Sequence, residues 1–413
     1  MVTVIDNATA DKLRTRIDKL RRLGIMVETG PLAELRGPTS ADLAVISPGI
    51  DPATPLVQHF LRQRIEMIGE IELAFELCHC PVIAITGTNG KTTTTELVEK
   101  MLLGAGLRTM AGGNIGLPFT EAVRRTPALD CITLEVSSFQ LEAIRKFRPK
   151  VAAWLNFSPD HLDRYTSLEE YRAAKMRIFE NQTKDDWAVL NAADCIKGLK
   201  ARTILFSAAG LDADFTLEGT AILYHGTPVL DLSQTHLRGL HNAENLMAAL
   251  GIGLAMGIPF ENLTPALCDY QPLPHRCESI RVLEGVEYIN DSKATNLDAL
   301  EKALQSETRP LVLIAGGKDK GFPFDSLTLL VKEKVASVVL IGEMAERIRQ
   351  DWGEMNCHLA KTLPDAVELA RTLAVPGGAV LFSPGTSSFD MFKSYADRGD
   401  QFRAIVQALH SQP

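Results

Sequence analysis

No apolar run in this 413-residue chain is long enough to cross a bilayer, and the first residues carry no basic-then-apolar leader. Neither membrane insertion nor export is therefore expected. Excess positive charge is missing too. The chain has 43 Lys and Arg against 51 Asp and Glu, a formal net charge of −8. That balance argues against nucleic acid as a general partner, but a local cationic site can still hold small anions. The seven cysteines are odd in number and scattered, which fits reduced thiols in a cytoplasmic protein rather than a disulfide framework. Cys78-His79-Cys80 has no second Cys or His pair at ligand spacing, so a core or loop role is expected there rather than metal. Low-complexity tracts, coiled-coil heptads and short-period repeats are absent, and the length suits two or three ordinary globular domains.

The most informative segment present is Pro81-Val82-Ile83-Ala84-Ile85-Thr86-Gly87-Thr88-Asn89-Gly90-Lys91-Thr92-Thr93. A short apolar run suits a buried parallel strand, the glycines a turn, and the residues after Lys91 a helix. Backbone N–H groups in such a turn, together with the helix start, attract phosphate. Lys91 supplies a point charge for the outer phosphates, and the Thr92 hydroxyl suits magnesium. The common phosphate-loop pattern begins with a glycine where Ile85 stands, so the turn here is expected to be tighter.

The pattern of apolar runs predicts an α/β protein in three parts, with domains over 1–70, 71–273 and 274–413. In the first, strands are expected at Val2–Ile5, Ile25–Val27 and Leu43–Ile46, with a helix carrying Leu13, Ile17 and Leu20. In the second, further strands are expected at Cys131–Leu134, Val151–Leu155 and Trp187–Leu190, forming a parallel sheet with helices on both faces. In the third, they fall at Leu311–Ala315, Ser337–Ile341 and Ala379–Phe382. Ligands of such sheets gather at the carboxyl ends of strands, so the polar residues that follow each run are the candidates.

Asp6 ends the first strand, as an acid that bonds a ribose hydroxyl does, although no Gly-rich strand-turn precedes it. Ser47-Pro48-Gly49 forms a turn that is either plain or phosphate-facing. Glu135 follows a strand beside the phosphate loop and suits magnesium, which takes oxygen ligands. His161 lies in the polar run Asn156–Tyr165; alone it reads as a surface residue or as a ligand. Lys175 reads as an ordinary helix lysine. Asn242 and Asn245 open a helix, as caps or as partners of an adenine edge. Arg276 sits at the expected domain junction and suits bidentate contact with phosphate. Three polar runs, Ile289–Asn296, Gly316–Gly321 and Ser383–Asp390, favour a site for a small charged substrate.

Taken together these segments resemble the Mur ligase family over nearly the whole chain. Its general marks are Gly87–Thr93, His241-Asn242-Ala243-Glu244-Asn245 and His275-Arg276. Within the family, Gly112-Gly113-Asn114-Ile115-Gly116, Glu135-Val136-Ser137-Ser138-Phe139-Gln140-Leu141, Asp291-Ser292-Lys293-Ala294-Thr295-Asn296 and Ser388-Phe389-Asp390-Met391-Phe392-Lys393 resemble the branch that adds D-glutamate. The Asp-Asn-Pro-Arg run of the diaminopimelate- or lysine-adding branch is absent.

The resemblance implies a Rossmann-like first domain, a central P-loop ATPase-like sheet and a Rossmann-like third domain. It implies an enzyme that uses ATP to join D-glutamate to UDP-N-acetylmuramoyl-L-alanine through an acyl phosphate and a tetrahedral intermediate. The bland alternatives are a sister ligase with another amino acid, or an ATP-binding module without catalysis. By resemblance, Gly87, Thr88, Asn89, Gly90, Lys91, Thr92, Thr93, Asn242, Asn245, Arg276 and Asp291 meet ATP. Thr92 and Glu135 serve one magnesium ion; His161 and a carbamylated Lys175 serve a second. Lys91, His161, Lys175 and Lys293 are the catalytic set. Asp6, Ser47, Asn114 and Ser137 match the UDP-sugar site, and Thr295, Lys320, Ser388 and Tyr395 the D-glutamate site, with Tyr395 where many relatives carry Phe. Partners are small molecules only, and a monomer is expected. The strand and Gly-rich turn that relatives carry before Val2–Asp6 have no counterpart, so either the real start lies upstream or Asp6, Ser47 and their neighbours hold the nucleotide alone.

Overall fold

The computed structural model describes residues 1–30, 41–160, 164–321, 323–353 and 356–410. Their strands form four sheets, mostly parallel and flanked by helices, so the α/β class stands.

The first segment holds two small parallel sheets. Thr3–Asp6 pairs with Met26–Thr29 across the helix Ala10–Arg22, and Ala44–Ile46 pairs with Met67–Gly69. Two-stranded sheets are marginal alone, and little seals these: Ile17, Ala44, Val57, Phe60 and Ile68 are buried, whereas Val2, Leu23, Met26 and Val45 are exposed. The segment leans on residues 143–147 of the central part of the chain. Gly69 N–H donates to the Ala143 carbonyl at 2.9 Å. In the next helix, Glu70–Glu76, the buried Glu72 carboxylate accepts the N–H groups of Arg145, Lys146 and Phe147 at 2.8, 2.7 and 3.0 Å.

The largest sheet has nine strands. From one edge to the other they are Thr227–Asp231, Ala221–Tyr224, Phe215–Glu218, Arg202–Ser207, Trp187–Asn191, Val151–Trp154, Val82–Thr86, Ile132–Glu135 and Ala111–Gly113. Val82–Ile85 is buried on both faces, as a central parallel strand must be. Its register sets Ile85 beside Glu135 on one side and Thr86 beside Trp154 on the other. One face packs the helices Lys91–Gly104 and Leu240–Ala255 through Leu97, Met101, Leu246 and Leu250; the other packs Phe119, Phe147, Trp154 and Phe179. The expectation of a wholly parallel sheet is corrected here. Phe215–Asp231 is an antiparallel meander. His225 and Gly226 both take positive φ between two of its strands, as a two-residue hairpin loop requires.

The last sheet has six strands in the order Glu278–Leu283, Val286–Asn290, Ala379–Phe382, Leu311–Ala315, Val335–Leu340 and Cys357–Leu359. Two strands fall where the sequence placed them; the strand expected at Ser337–Ile341 begins earlier, at Val335. The Glu278–Leu283 strand pairs antiparallel. Because the parallel strands point one way, the loops after Asn290, Ala315 and Phe382 open on the same side of this sheet.

Candidate active site

The phosphate loop runs from Gly87 to Gly90, between the strand Val82–Thr86 and the helix Lys91–Gly104. Gly90 is the N-cap at φ 82°, a conformation a side chain resists, and a Cβ there would also strike the Asn245 carboxamide. The Asn156 carboxamide clamps the loop: its Oδ1 accepts Asn89 N–H at 2.9 Å, and its Nδ2 donates to the Asn89 carbonyl at 3.1 Å.

Two lysines meet under the loop. Lys91 Nζ donates to the Gly87 and Thr88 carbonyls at 2.9 and 2.8 Å. Lys175, on the helix Leu168–Met176 and 1% exposed, donates to the same Gly87 carbonyl at 2.8 Å. Burial, and then the Lys91 charge, hold the Lys175 ammonium well below its usual range. Burial also lowers Lys91, against the pull of Glu135 and Asp160. Lys175 is therefore not a solvated helix lysine.

Glu135 proves to be the last residue of its strand rather than the residue after it. Its carboxylate accepts Thr92 Oγ1 at 2.8 Å and Asn114 Nδ2 at 2.9 Å. A carboxylate and a hydroxyl thus face the mouth of the phosphate loop together, an all-oxygen pair of the kind magnesium takes. Among the described residues there is no group of three or more His, Cys, Asp or Glu side chains set to hold a metal. His161 lies outside the described residues.

The six-stranded sheet faces this loop across a cleft of about 280 Å³. The cleft is lined by Thr88–Thr93, Asn114, Glu135, Asn242, Asn245, Arg276, Asp291, Lys293, Thr295 and Lys320. The turn that presents Arg276 is strained: His275 and Cys277 both sit at positive φ, 67° and 46°. Asp291 accepts Ser383 Oγ at 2.7 Å and Cys277 N–H at 3.2 Å, and burial raises it to about 6. Lys293 stands 3.8 Å from the centre of the Tyr395 ring, and burial and then Arg276 push it down to about 8. His241, also on the wall, falls to about 4 chiefly through burial, so its imidazole is uncharged near neutrality.

Not every expected residue reaches the cleft. Gly87 lies beneath it and offers its carbonyl to the two lysines. The Ser137 hydroxyl is spent in a capping box with Gln140 at the start of the helix Ser138–Leu141. Asp6 is in the first small sheet, its Oδ1 accepting Ala8 N–H at 2.8 Å. Ser47 lines a second cavity of about 430 Å³, against Phe139 and Gln140. Ser388 is buried and Tyr395 is partly exposed at the head of the last helix; neither lines the cleft.

Other residues went unremarked in the sequence. Asn156 and Asp160 stand in the same polar run that drew attention to His161. Asp160 is buried and accepts Lys320 Nζ and Asn296 Nδ2, both at 3.2 Å. Arg398, 1% exposed, donates to the Ser292 hydroxyl and carbonyl at 3.0 and 2.8 Å and to the Thr386 carbonyl at 3.2 Å. It ties two of the polar loops together, and nothing in its helical surroundings in the sequence marks it out.

Residues 85–253 match the Mur ligase middle domain and residues 275–386 the Mur ligase glutamate ligase domain. The chain is 44% identical over 418 residues to the UDP-N-acetylmuramoylalanine--D-glutamate ligase of Geotalea uraniireducens, covering 99% of this chain and 92% of that one. It is 41% identical over 421 residues to the protein of the same name from Koribacter versatilis, covering 100% and 93%. Among solved structures, the UDP-N-acetylmuramate-alanine ligase of Thermotoga maritima matches with a TM-score of 0.61 at 19% identity, covering 99% of both chains. A pseudomurein peptide ligase type C from Methanothermus fervidus gives 0.62 at 17%, covering 98% and 94%. At such identities these two likenesses speak to the fold alone.

Proposed function

This chain belongs to the Mur ligase family, and from that membership and the chemistry of its cleft we infer an ATP-dependent acid–amino-acid ligase. It joins D-glutamate to UDP-N-acetylmuramoyl-L-alanine in the synthesis of peptidoglycan precursors. The observation that carries this reading is the near-full-length identity of 41–45% to relatives that share that one name.

The chemistry answers a basic difficulty: a carboxylate does not acylate an amine because its leaving oxygen is too basic. ATP converts the alanyl carboxylate to an acyl phosphate. The amine of D-glutamate adds to the acyl carbon, and the tetrahedral intermediate collapses to an amide and phosphate. We assign the triphosphate to the loop Gly87–Thr93, with Lys91 offsetting charge on the transferring phosphoryl group. Asn242 and Asn245 are assigned to the adenine, and Arg276 and Asp291 to the phosphates and ribose. Lys293 is assigned to the reacting phosphate, whose negative charge would favour the protonated ammonium that burial and Arg276 disfavour. Thr295 and Lys320 hold D-glutamate at the cleft wall. Ser388 and Tyr395 act from behind it, Tyr395 by seating Lys293. Asn114 meets the sugar nucleotide within the cleft. Asp6, Ser47 and the backbone around Ser137 are left for its uridine diphosphate end.

Thr92 and Glu135 fit one magnesium ion, which when bound would neutralise phosphate charge. A second is assigned to His161 and Lys175. The depressed ammonium of Lys175 favours the neutral amine that reacts with carbon dioxide, and the resulting carbamate would offer oxygen ligands. We read the chain as three domains over 1–70, 71–273 and 274–413, with closure of the third excluding water from the acyl phosphate. The protein is assigned to the cytoplasm, as a monomer.

The test is phosphate release from ATP with UDP-N-acetylmuramoyl-L-alanine and a panel of amino acids. Release dependent on D-glutamate supports the reading; release that instead depends on another amino acid makes the protein a sister ligase.

A further inference from the structure

One polar cluster joins the two faces of the cleft through a residue that the ligase reading does not use. The helix Leu297–Ser306 begins directly after Thr295, with Asn296 as its N-cap, accepting Ala299 N–H at 2.9 Å. Asp298, in the first turn, turns its Oδ2 to the far side of the cleft, where it accepts a short hydrogen bond from Asn89 Nδ2 in the phosphate loop. The same carboxylate pairs with Lys302 Nζ at 3.0 Å, one turn along the helix. Asn296 supports the link with longer 3.5 Å contacts to the Asn89 carboxamide and a 3.2 Å bond to Asp160. The backbone of Asn89 is held in place, because Asn156 bonds both its N–H and its carbonyl.

Two fixed points therefore define where this helix starts: a clamped loop on one side and a buried N-cap on the other. Asn296 is 3% exposed. The residue just ahead of the cap is Thr295, on the cleft wall beside Lys293. A shift of the helix start moves both. A misplacement of about 1 Å in an acceptor site is enough to cost a large factor in rate.

We propose that Asp298 is a positioning residue for the amino-acid half of the reaction: by accepting from Asn89 it fixes the start of the helix Leu297–Ser306, and with it Thr295, against the phosphate loop. This rests on the ligase reading and adds to it a link between the nucleotide loop and the acceptor pocket. The competing account is local. An acid in the first turn of a helix is favoured by the helix dipole and by Lys302 four residues on, with no role across the cleft.

Asp298→Asn separates the two. Asparagine keeps an oxygen to accept from Asn89 but carries no charge for the dipole or for Lys302; Asp298→Ala removes both. Two readouts are needed. The first is kcat/KM for D-glutamate. The second is trapping of the acyl phosphate by hydroxylamine, with ATP and UDP-N-acetylmuramoyl-L-alanine but no D-glutamate. Losing a hydrogen bond to a charged group corresponds to about tenfold or more, so Asp298→Ala is expected to lower kcat/KM for D-glutamate by about that factor. Hydroxamate formation should hold within about threefold, and Asp298→Asn should recover most of the loss. In an Asn89→Ala background, Asp298→Ala should add no further loss. The proposal is overturned if Asp298→Asn is as poor as Asp298→Ala, if Asp298→Ala matches wild type, or if hydroxamate formation falls in parallel. If wild type forms no hydroxamate, it is the ligase reading that fails. Should Asp298→Ala not fold, Asp298→Ser, whose hydroxyl falls one bond short of the carboxylate oxygen that meets Asn89, takes its place under the same criteria.

Discussion

Lys91 and Lys175 share one acceptor: both ammonium nitrogens lie within 2.9 Å of the Gly87 carbonyl oxygen. Two cations on one oxygen repel, and burial lowers both ammonium groups. Lys175 is the more deeply buried, and its ammonium is pressed down by desolvation first and by Lys91 second. An amine held neutral in this way can bond to the carbon of carbon dioxide through its nitrogen and lose a proton, giving the carbamate proposed above, whose two oxygens would be ligands. Lys175→Ala should therefore lose about a hundredfold or more in kcat, and added formate or acetate should restore part of it. Full activity without any additive removes Lys175 from the mechanism.

Lys91→Ala should abolish measurable turnover while leaving a cooperative thermal transition. The residue opens its helix from the surface of the cleft and packs no core. Steady-state rates and a melting curve on one preparation check this; near-normal turnover contradicts the phosphate-loop assignment.

Asp291 gives a pH signature. Its folded pKa of about 6 lies above the ordinary 3.8 because burial outweighs the bonds from Ser383 and Cys277 and the charge of Arg276. The folded state thus keeps a proton that the unfolded chain has already lost. Stability from this group is complete below about pH 4 and is lost as pH rises through about 6, by about 3 kcal/mol in all. The melting temperature of Asp291→Asn relative to wild type, measured without nucleotide, should rise across that window and level off above it. A constant difference contradicts the assignment.

The strand skeleton was readable because parallel strands buried on both faces are continuous apolar runs: Leu311–Ala315 and Ala379–Phe382 begin and end where expected. The meander over Phe215–Asp231 was not anticipated, since its strands are only four or five residues long and partly exposed, and none makes a continuous buried apolar run. Its one clear signal was the pair His225-Gly226. The strand, turn and helix around Gly87–Lys91 and the strand-end place of Glu135 were legible because a buried apolar run passes there directly into glycines or an acid. Asp298 and Arg398 were not, because their partners lie 209 positions away at Asn89 and 106 positions away at Ser292. Long-range pairing of that kind leaves no local pattern.

Arg398 supplies a further test. Arg398→Met keeps bulk but leaves the Ser292 and Thr386 carbonyls without their buried donor. It should cost about 2–4 kcal/mol in chemical denaturation. Because Lys293 follows Ser292 and Ser388 lies two residues after Thr386, KM for D-glutamate should rise as well. A stability loss with an unchanged KM would confine Arg398 to a scaffolding role.

The most direct measurement tracks oxygen. UDP-N-acetylmuramoyl-L-alanine carrying heavy oxygen in its alanyl carboxylate is turned over with ATP and D-glutamate, and the released phosphate is weighed by mass spectrometry. Activation as an acyl phosphate delivers one labelled oxygen to each phosphate. Unlabelled phosphate, with amide still formed, contradicts the account.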